Sequence, residues 1–371
     1  MLLPDLTALP QPFFLDDAAA AGITRHQVTR EVGRGVLTRV HRGLYAVADG
    51  WNGTPPWQQQ LGLAAAAHRA HPGHVTSHHS AAGLHGLPLP QQGLHQAVLT
   101  VEDTSTTSRH AWLDLRHGEL PDAERTLVAD VPLTTVPRTV VDCARSLHRP
   151  DAVAVADAAL RAGHCTSHEL VAVRRGQRRW PGVTGADAVF AFADPRRESW
   201  LESASAVTLH GWGMPLGVPQ VDVFSLDGEW LARVDVAWAE LGVVGEADGR
   251  GKFLGDPELG LGDAPTDVAA RLLHSHDRAE SLRSVGLQVV RWTSAERIAR
   301  PQAVVARWHR AVGAAAVTPH RALLRCTCCG IPATDCEFDR FPGLTPARRA
   351  TQLAISRVVG TRGQVRGESR A

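Results

Sequence analysis

Lysine is almost missing from this chain of 371 residues: 39 residues are basic, and Lys252 is the single lysine among them. With arginine in place of lysine throughout and alanine abundant, the number of arginines says little about phosphate binding, and position must carry that argument. Net charge is missing as well. A formal value of +1 excludes a uniformly basic nucleic-acid coat and leaves polyanion binding to local patches. No stretch reaches the roughly 20 apolar residues of a membrane span, and Met1 to Phe14 has neither a basic leader nor a continuous apolar run. The expectation is a protein neither embedded in a membrane nor secreted. A regular disulfide framework is also lacking. Cys143 and Cys165 stand far apart, while Cys326, Cys328, Cys329 and Cys336 crowd late in the chain, which fits a reducing cytoplasm.

What is present is length for two or three domains and apolar content for a core in each. In residues 1–50, Asp16 to Ala21 reads as a short helix closed by Gly22, and Thr24 caps a second helix running toward Gly33. Val28 and Val32 fall one turn apart on a buried stripe of that helix. Val36 to Val47 alternates like two strands about a turn at Arg42-Gly43. The order is helix, turn, helix, wing. Between Arg25 and Arg42 there are five arginines against one acid, Glu31, so this small unit is basic although the chain is not. Such a patch neutralises phosphates while the second helix enters the major groove.

The residues Gly22-Ile23-Thr24-Arg25 and Arg39-Val40-His41-Arg42-Gly43-Leu44-Tyr45-Ala46 resemble the N-terminal winged-helix domain of the AbiEi family of type IV antitoxins. The resemblance implies DNA as a partner, bound at the system's own promoter, with a cognate toxin as a second partner. The DNA-contacting side chains would be Arg25, Arg30, Arg34, Arg39 and Arg42. The competing reading is a docking or packing module whose arginines are simply solvated.

Residues 51–190 read as a mixed α/β scaffold. Gln58 to Ala70 is helical, Ala97 to Val101 a strand, and Pro137 to Leu147 a helix with proline in its first turn; Asp151 to Ala162 continues helically. His71, His74, His78, His79 and His85 lie among glycines and a proline without regular ligand spacing, so packing or capping is expected of them rather than metal binding.

From about Asp194 a helix carrying Glu198 and Glu202, one turn apart, leads into three strands: Val221 to Leu226, Leu231 to Trp238 and Leu241 to Ala247. A turn centred between Ala239 and Glu240 sets Asp235 opposite Val244, making Asp235 and Glu246 diagonal neighbours roughly 7–8 Å apart at the backbone. Both acids interrupt apolar strands. Burying an unpaired carboxylate is costly, and a hard divalent ion with oxygen ligands answers that cost.

A helix capped by Thr266 or Asp267, a strand from Leu287 to Trp292 and a last helix complete the order αβββαβα. That order, with Arg233-Val234-Asp235-Val236-Ala237-Trp238, Gly245-Glu246-Ala247-Asp248-Gly249 and the segment Leu282 to Trp292, resembles the very-short-patch-repair-like branch of the PD-(D/E)XK nucleases over residues 195–312. The resemblance implies Mg²⁺ held by Asp235, Glu246 and the carbonyl of Ala247. It implies Glu198 as the acid of the leading helix, with Glu202 a substitute on the same face. Asp248 stands where such triplets usually have lysine, so Lys252 would reach back from its loop. A metal there would polarise a phosphodiester and generate hydroxide for in-line attack. The competing reading is a nuclease fold kept as a binding body, with Asp235 paired to Arg233 or Arg283, in a non-catalytic regulator.

The expected fold class is therefore α/β (α+β): a winged helix-turn-helix, a mixed middle region, and a restriction-endonuclease-like αβββαβ core. Residues 313–371 read as a flexible extension, and the spacing Cys-x-Cys-Cys, not being a paired Cys-x-x-Cys arrangement, does not point to zinc.

Overall fold

The computed structural model describes residues 6–90, 93–103, 111–249 and 277–336. They divide into two compact units, the first comprising residues 1–147 and 164–183, the second 148–163 and 184–371.

The first unit opens with β1 (Phe13–Phe14), α1 (Leu15–Ala20), α2 (Arg25–Gly33), β2 (Leu37–His41) and β3 (Leu44–Val47), the strands forming an antiparallel sheet in the order β1-β3-β2. Thr24 starts α2 as its sequence suggests: its hydroxyl accepts the Gln27 N–H at 3.3 Å, and the Gln27 side chain accepts the Thr24 N–H at 2.8 Å. Phe13, Ala18, Ile23, Val28 and Leu37 form the small core under these elements, with Val32 packed against it.

After α3 (Ala48–Asn52) come α4 (Pro56–Ala70), β4 (Val75–Thr76), α5 (His78–Leu84), β5 (Ala97–Val101), β6 (Leu113–His117), β7 (Arg125–Val128), β8 (Val131–Thr134) and α6 (Val136–Ser146). The chain then passes through α7 (Arg149–Arg161), part of the second unit, and returns in α8 (Ser167–Gly176). The five strands order β6-β5-β4-β8-β7, with β5 on β6 and β4 on β8 parallel. All five residues of β5 are buried, as a nearly continuous apolar run, interrupted by Thr100, in a covered sheet should be. Among the histidines, His79 meets the Gln96 carbonyl and His85 the Thr134 carbonyl, both at 2.8 Å. Burial foremost holds His78, His79 and His85 below the ordinary histidine value, so they pack as neutral rings.

A buried ionic network ties α6 to the segment after α8. Asp142, with no exposure, accepts Arg138 Nε and Arg145 Nη1, each at 2.8 Å, and Gln177 Nε2 at 3.3 Å. Both guanidinium groups lie over the Trp180 ring, 4.8 and 4.9 Å from its centroid. Gly182 permits the close return of this segment: at φ +80° it passes so near the Arg145 carbonyl that an added Cβ would lie 2.2 Å from its oxygen.

The second unit continues through α9 (Val183–Phe192), α10 (Trp200–Gly211), β9 (Val218–Ser225), β10 (Trp230–Trp238), β11 (Val243–Asp248), a helix α11 over residues 277–284, β12 (Gln288–Thr293), α12 (Ser294–Ala299), α13 (Pro301–Val317) and β13 (Ala322–Cys326). Its sheet orders β12-β11-β10-β9-β13, antiparallel throughout except for the parallel pair β11 and β12. Alternation along β11 feeds two cores: Val243 and Ala247 join Leu201, Leu209, Trp292, Val304 and Trp308, while Val244 joins Val221, Val223, Leu282 and Leu324.

Two boundaries differ from the sequence reading. Residues 148–163 belong to the second unit, because Asp157 on α7 is buried against Arg197 Nη1 at 2.9 Å and the Ser203 hydroxyl at 2.7 Å. Residues up to 336 of the expected flexible extension are structured, since β13 adds to the sheet edge at β9. The expected Thr266 or Asp267 cap lies outside the described residues.

Removing Asp142 strands two buried guanidinium groups. The Asp142→Ala variant should therefore lose about 3–5 kcal/mol of stability, read as a lower urea midpoint; an unchanged midpoint would show that the Glu124 carboxylate, which also pairs with Arg138, and the Trp180 ring under both guanidinium groups suffice.

Candidate functional site

The exposed side of α2 follows from its buried side. Val28 and Glu31 turn inward, leaving Arg25, His26, Thr29, Arg30, Gly33 and Arg34 exposed at helical spacing. Arg39 on β2 and Arg42 in the turn to β3 are exposed too, with Gly43 at φ +83° closing that turn. All five arginines singled out by the sequence thus reach solvent. Glu31, only 3% exposed, does more than dilute their charge: its Oε1 accepts Arg30 Nε at 3.0 Å and Arg34 Nη1 at 3.3 Å. One carboxylate organises two cations of the face without removing either from the surface.

In the second unit the register of β10 on β11 pairs Val236 with Gly245 and Ala237 with Val244. Continued one step, that register sets Asp235 across from Glu246. The diagonal placement expected from the sequence is corrected by two residues, because the connection is a full 3-10 turn, Ala239–Leu241, closed by Gly242 at φ +64°. Asp235 Oδ2 accepts the Ala247 N–H at 2.7 Å. Glu246, 1% exposed, is held through Oε2 by Arg278 Nη2 at 2.5 Å and Arg291 Nη2 at 3.1 Å, while its buried Oε1 has no hydrogen-bond partner among the described residues. The arginine partners considered from the sequence are engaged elsewhere: Arg233 with Asp222 and Arg283 with Glu280.

Of the two acids near α10, Glu202 rather than Glu198 belongs to this neighbourhood. Ser199 caps the helix, so Glu198 precedes it and is exposed. Glu202 lies in the first turn, 8% exposed, and accepts the Ser199 hydroxyl at 2.7 Å, the Glu198 N–H at 2.9 Å and Gln220 Nε2 at 2.9 Å. It lines an open cleft together with Arg197, His210, Asp235, Trp238 and Trp292. Asp248 ends β11 opposite Thr293, and Lys252 lies outside the described residues. Gln220 is the functional candidate the sequence did not disclose. It is buried at φ +51°, a strained conformation for a non-glycine residue that keeps its amide on Glu202.

Burial, reinforced by the charge of Asp235, raises the proton affinity of Glu202; burial also raises that of Glu246, against the pull of Arg278 and Arg291. A raised folded value means that stability contributed by the group is fully present below the unfolded value near 4.5 and is lost as pH rises through the folded one. The Glu202→Gln variant cannot ionise. Its thermal midpoint relative to the parent should therefore improve by a few degrees between pH 4 and pH 7; a difference independent of pH would contradict the assignment.

Residues 12–48 match the family described as transcriptional regulator, AbiEi antitoxin. Over 242 residues the chain is 31% identical to the uncharacterized proteins Rv2248 and MT2308 of Mycobacterium tuberculosis, an alignment covering 64% of this chain and 83% of each of theirs. No helix among the described residues is long and apolar enough to cross a membrane. At that identity and coverage the chain belongs to the family of these two mycobacterial proteins, and it carries an AbiEi-type regulator domain near its start.

Proposed function

We propose that this protein is a DNA-binding transcriptional regulator of the AbiEi antitoxin type, in which α2 enters the major groove and the β2–β3 wing flanks it, while the second unit is a nuclease-like fold used as a body for binding a partner such as a cognate toxin. The observation that carries this reading is the exposed arginine face of α2 and the wing, lying within the stretch that matches the regulator family. Arginines at such positions bind phosphate and displace condensed counterions, whatever the net charge of the chain.

The carboxylates of the second unit favour the scaffold role. Each already has protein partners: Glu202 at the start of α10, Asp235 on the Ala247 N–H, Glu246 on two guanidinium groups. A Mg²⁺ ion at Asp235, Glu246 and the Ala247 carbonyl would find one unpartnered oxygen on Glu246 and two cations beside it, so these residues fit the ion poorly as arranged. The unpartnered Oε1 is nonetheless what keeps a second reading alive, a metal-dependent endonuclease of the very-short-patch-repair-like kind acting on DNA.

One experiment separates the two. The chain is titrated onto a fluorescent duplex of its own upstream sequence at several salt concentrations, with and without Mg²⁺. Binding should weaken steeply with salt, and Arg25→Ala/Arg42→Ala should weaken it further while reducing the log–log slope by about 2. Asp235→Ala/Glu246→Ala should leave binding unchanged and the duplex intact in every arm. Absence of binding overturns the regulator; Mg²⁺-dependent strand breaks lost in the carboxylate variant establish the nuclease.

A further inference from the structure

Four sulfurs meet where β13 ends. Cys326 is the last residue of that strand, the chain turns through Gly330 at φ +72°, and the Cys326 N–H returns to the Ile331 carbonyl at 3.0 Å while the Ala333 N–H reaches the Leu324 carbonyl at 2.9 Å. This tight hairpin brings Cys336 back beside Cys326. Their Sγ atoms lie 3.3 Å apart, Cys326 and Cys328 3.0 Å, Cys328 and Cys336 3.6 Å, Cys329 and Cys336 3.8 Å, and all four sulfurs fall within 4.8 Å of one another. Zinc–sulfur bonds of about 2.3 Å put the corners of a tetrahedron about 3.8 Å apart, so the four need only small rotations to surround one ion. All four cysteines are free of disulfides.

The surroundings are built for negative sulfur. Arg196, 9% exposed, is clamped by Asp194 through Nε at 3.0 Å and Nη2 at 2.9 Å, which aims Nη1 at both Cys326 and Cys336, 3.3 Å from each sulfur. A neutral thiol is a weak acceptor for a guanidinium, whereas a metal-bound thiolate is a strong one. Four thiolates around a dication leave a double negative charge, which a buried cation on two of the sulfurs offsets.

We propose that Cys326, Cys328, Cys329 and Cys336 form a structural tetrathiolate zinc site. Spacing alone does not announce this set. Cys326-Thr327-Cys328-Cys329-Gly330 contains a Cys-x-x-Cys step followed by glycine, hidden by the intervening Cys328, and the second pair is completed across the hairpin by Cys336. The site has a structural consequence for the cleft. Thr327, inside the cysteine turn, donates its hydroxyl to the Gln220 carbonyl at 2.8 Å, and Gln220 is the residue whose amide holds Glu202. Metal at the hairpin therefore fixes the strained backbone at Gln220.

The test is metal analysis of the full-length chain, purified under reducing conditions from zinc-supplemented cells. Zinc in equimolar amount is expected, with Cys328→Ser and Cys336→Ser each losing it. As a check independent of variant folding, cobalt added to the chelator-stripped parent should give intense thiolate-to-cobalt absorption and a tetrahedral visible spectrum. Chelation should also lower the thermal midpoint of the parent. Iron in place of zinc, no bound metal together with no cobalt spectrum, or a disulfide among these cysteines in non-reducing mass analysis would each overturn the proposal.

Discussion

The ionic triad of Glu246 with Arg278 and Arg291 decides how the second unit is understood. A carboxylate this buried cannot persist alone; it must meet a metal, a proton or a cation. Here two guanidinium groups converge on one oxygen, one from α11 and one from β12, which runs parallel to the strand of Glu246 itself. The charge that a nuclease site would present to a dication is already offset. Asp235 across the ladder and Glu202 on α10 are likewise engaged in holding backbone and helix start. The same acids that suggest catalysis serve the architecture.

That arrangement moves the functional weight to the first unit. There the chemistry is simple: a capped helix with one buried stripe must show its other side to solvent, and that side carries arginine. Glu31 supports it from below by fixing Arg30 and Arg34 through a single oxygen. Long cations held in place lose less side-chain entropy on meeting a phosphate than free ones do.

The winged helix was legible in the sequence because its signals are local: the Thr24 cap, the Val28 stripe, the glycine turn at Gly43. The meander of β9 to β11 was legible by alternation, but its register was displaced by two because a 3-10 turn and a straight two-residue turn leave similar traces in apolar patterning. An even displacement keeps both acids together, which is why the pair survived the error. The partners of Glu246 were not legible, since Arg278 and Arg291 are 32 and 45 residues away along the chain and no periodicity announces such a meeting. Glu198, which the nuclease resemblance puts on the leading helix, falls outside it because Ser199 caps α10 and only Glu202 lies in the first turn. The gathering of the four cysteines is not legible for a related reason: spacing rules describe one strand of a hairpin, whereas Cys336 arrives from the other.

In the proposed function the arginine face binds DNA while the carboxylates do no chemistry. Hydroxyl-radical footprinting of the full chain on its own upstream DNA tests both halves together. A protected window about one helical turn long is expected for each bound domain, the same with and without added Mg²⁺. The absence of any protected window would rule out the regulator, and Mg²⁺-dependent breaks in the DNA before the radical source is added would rule out idle carboxylates.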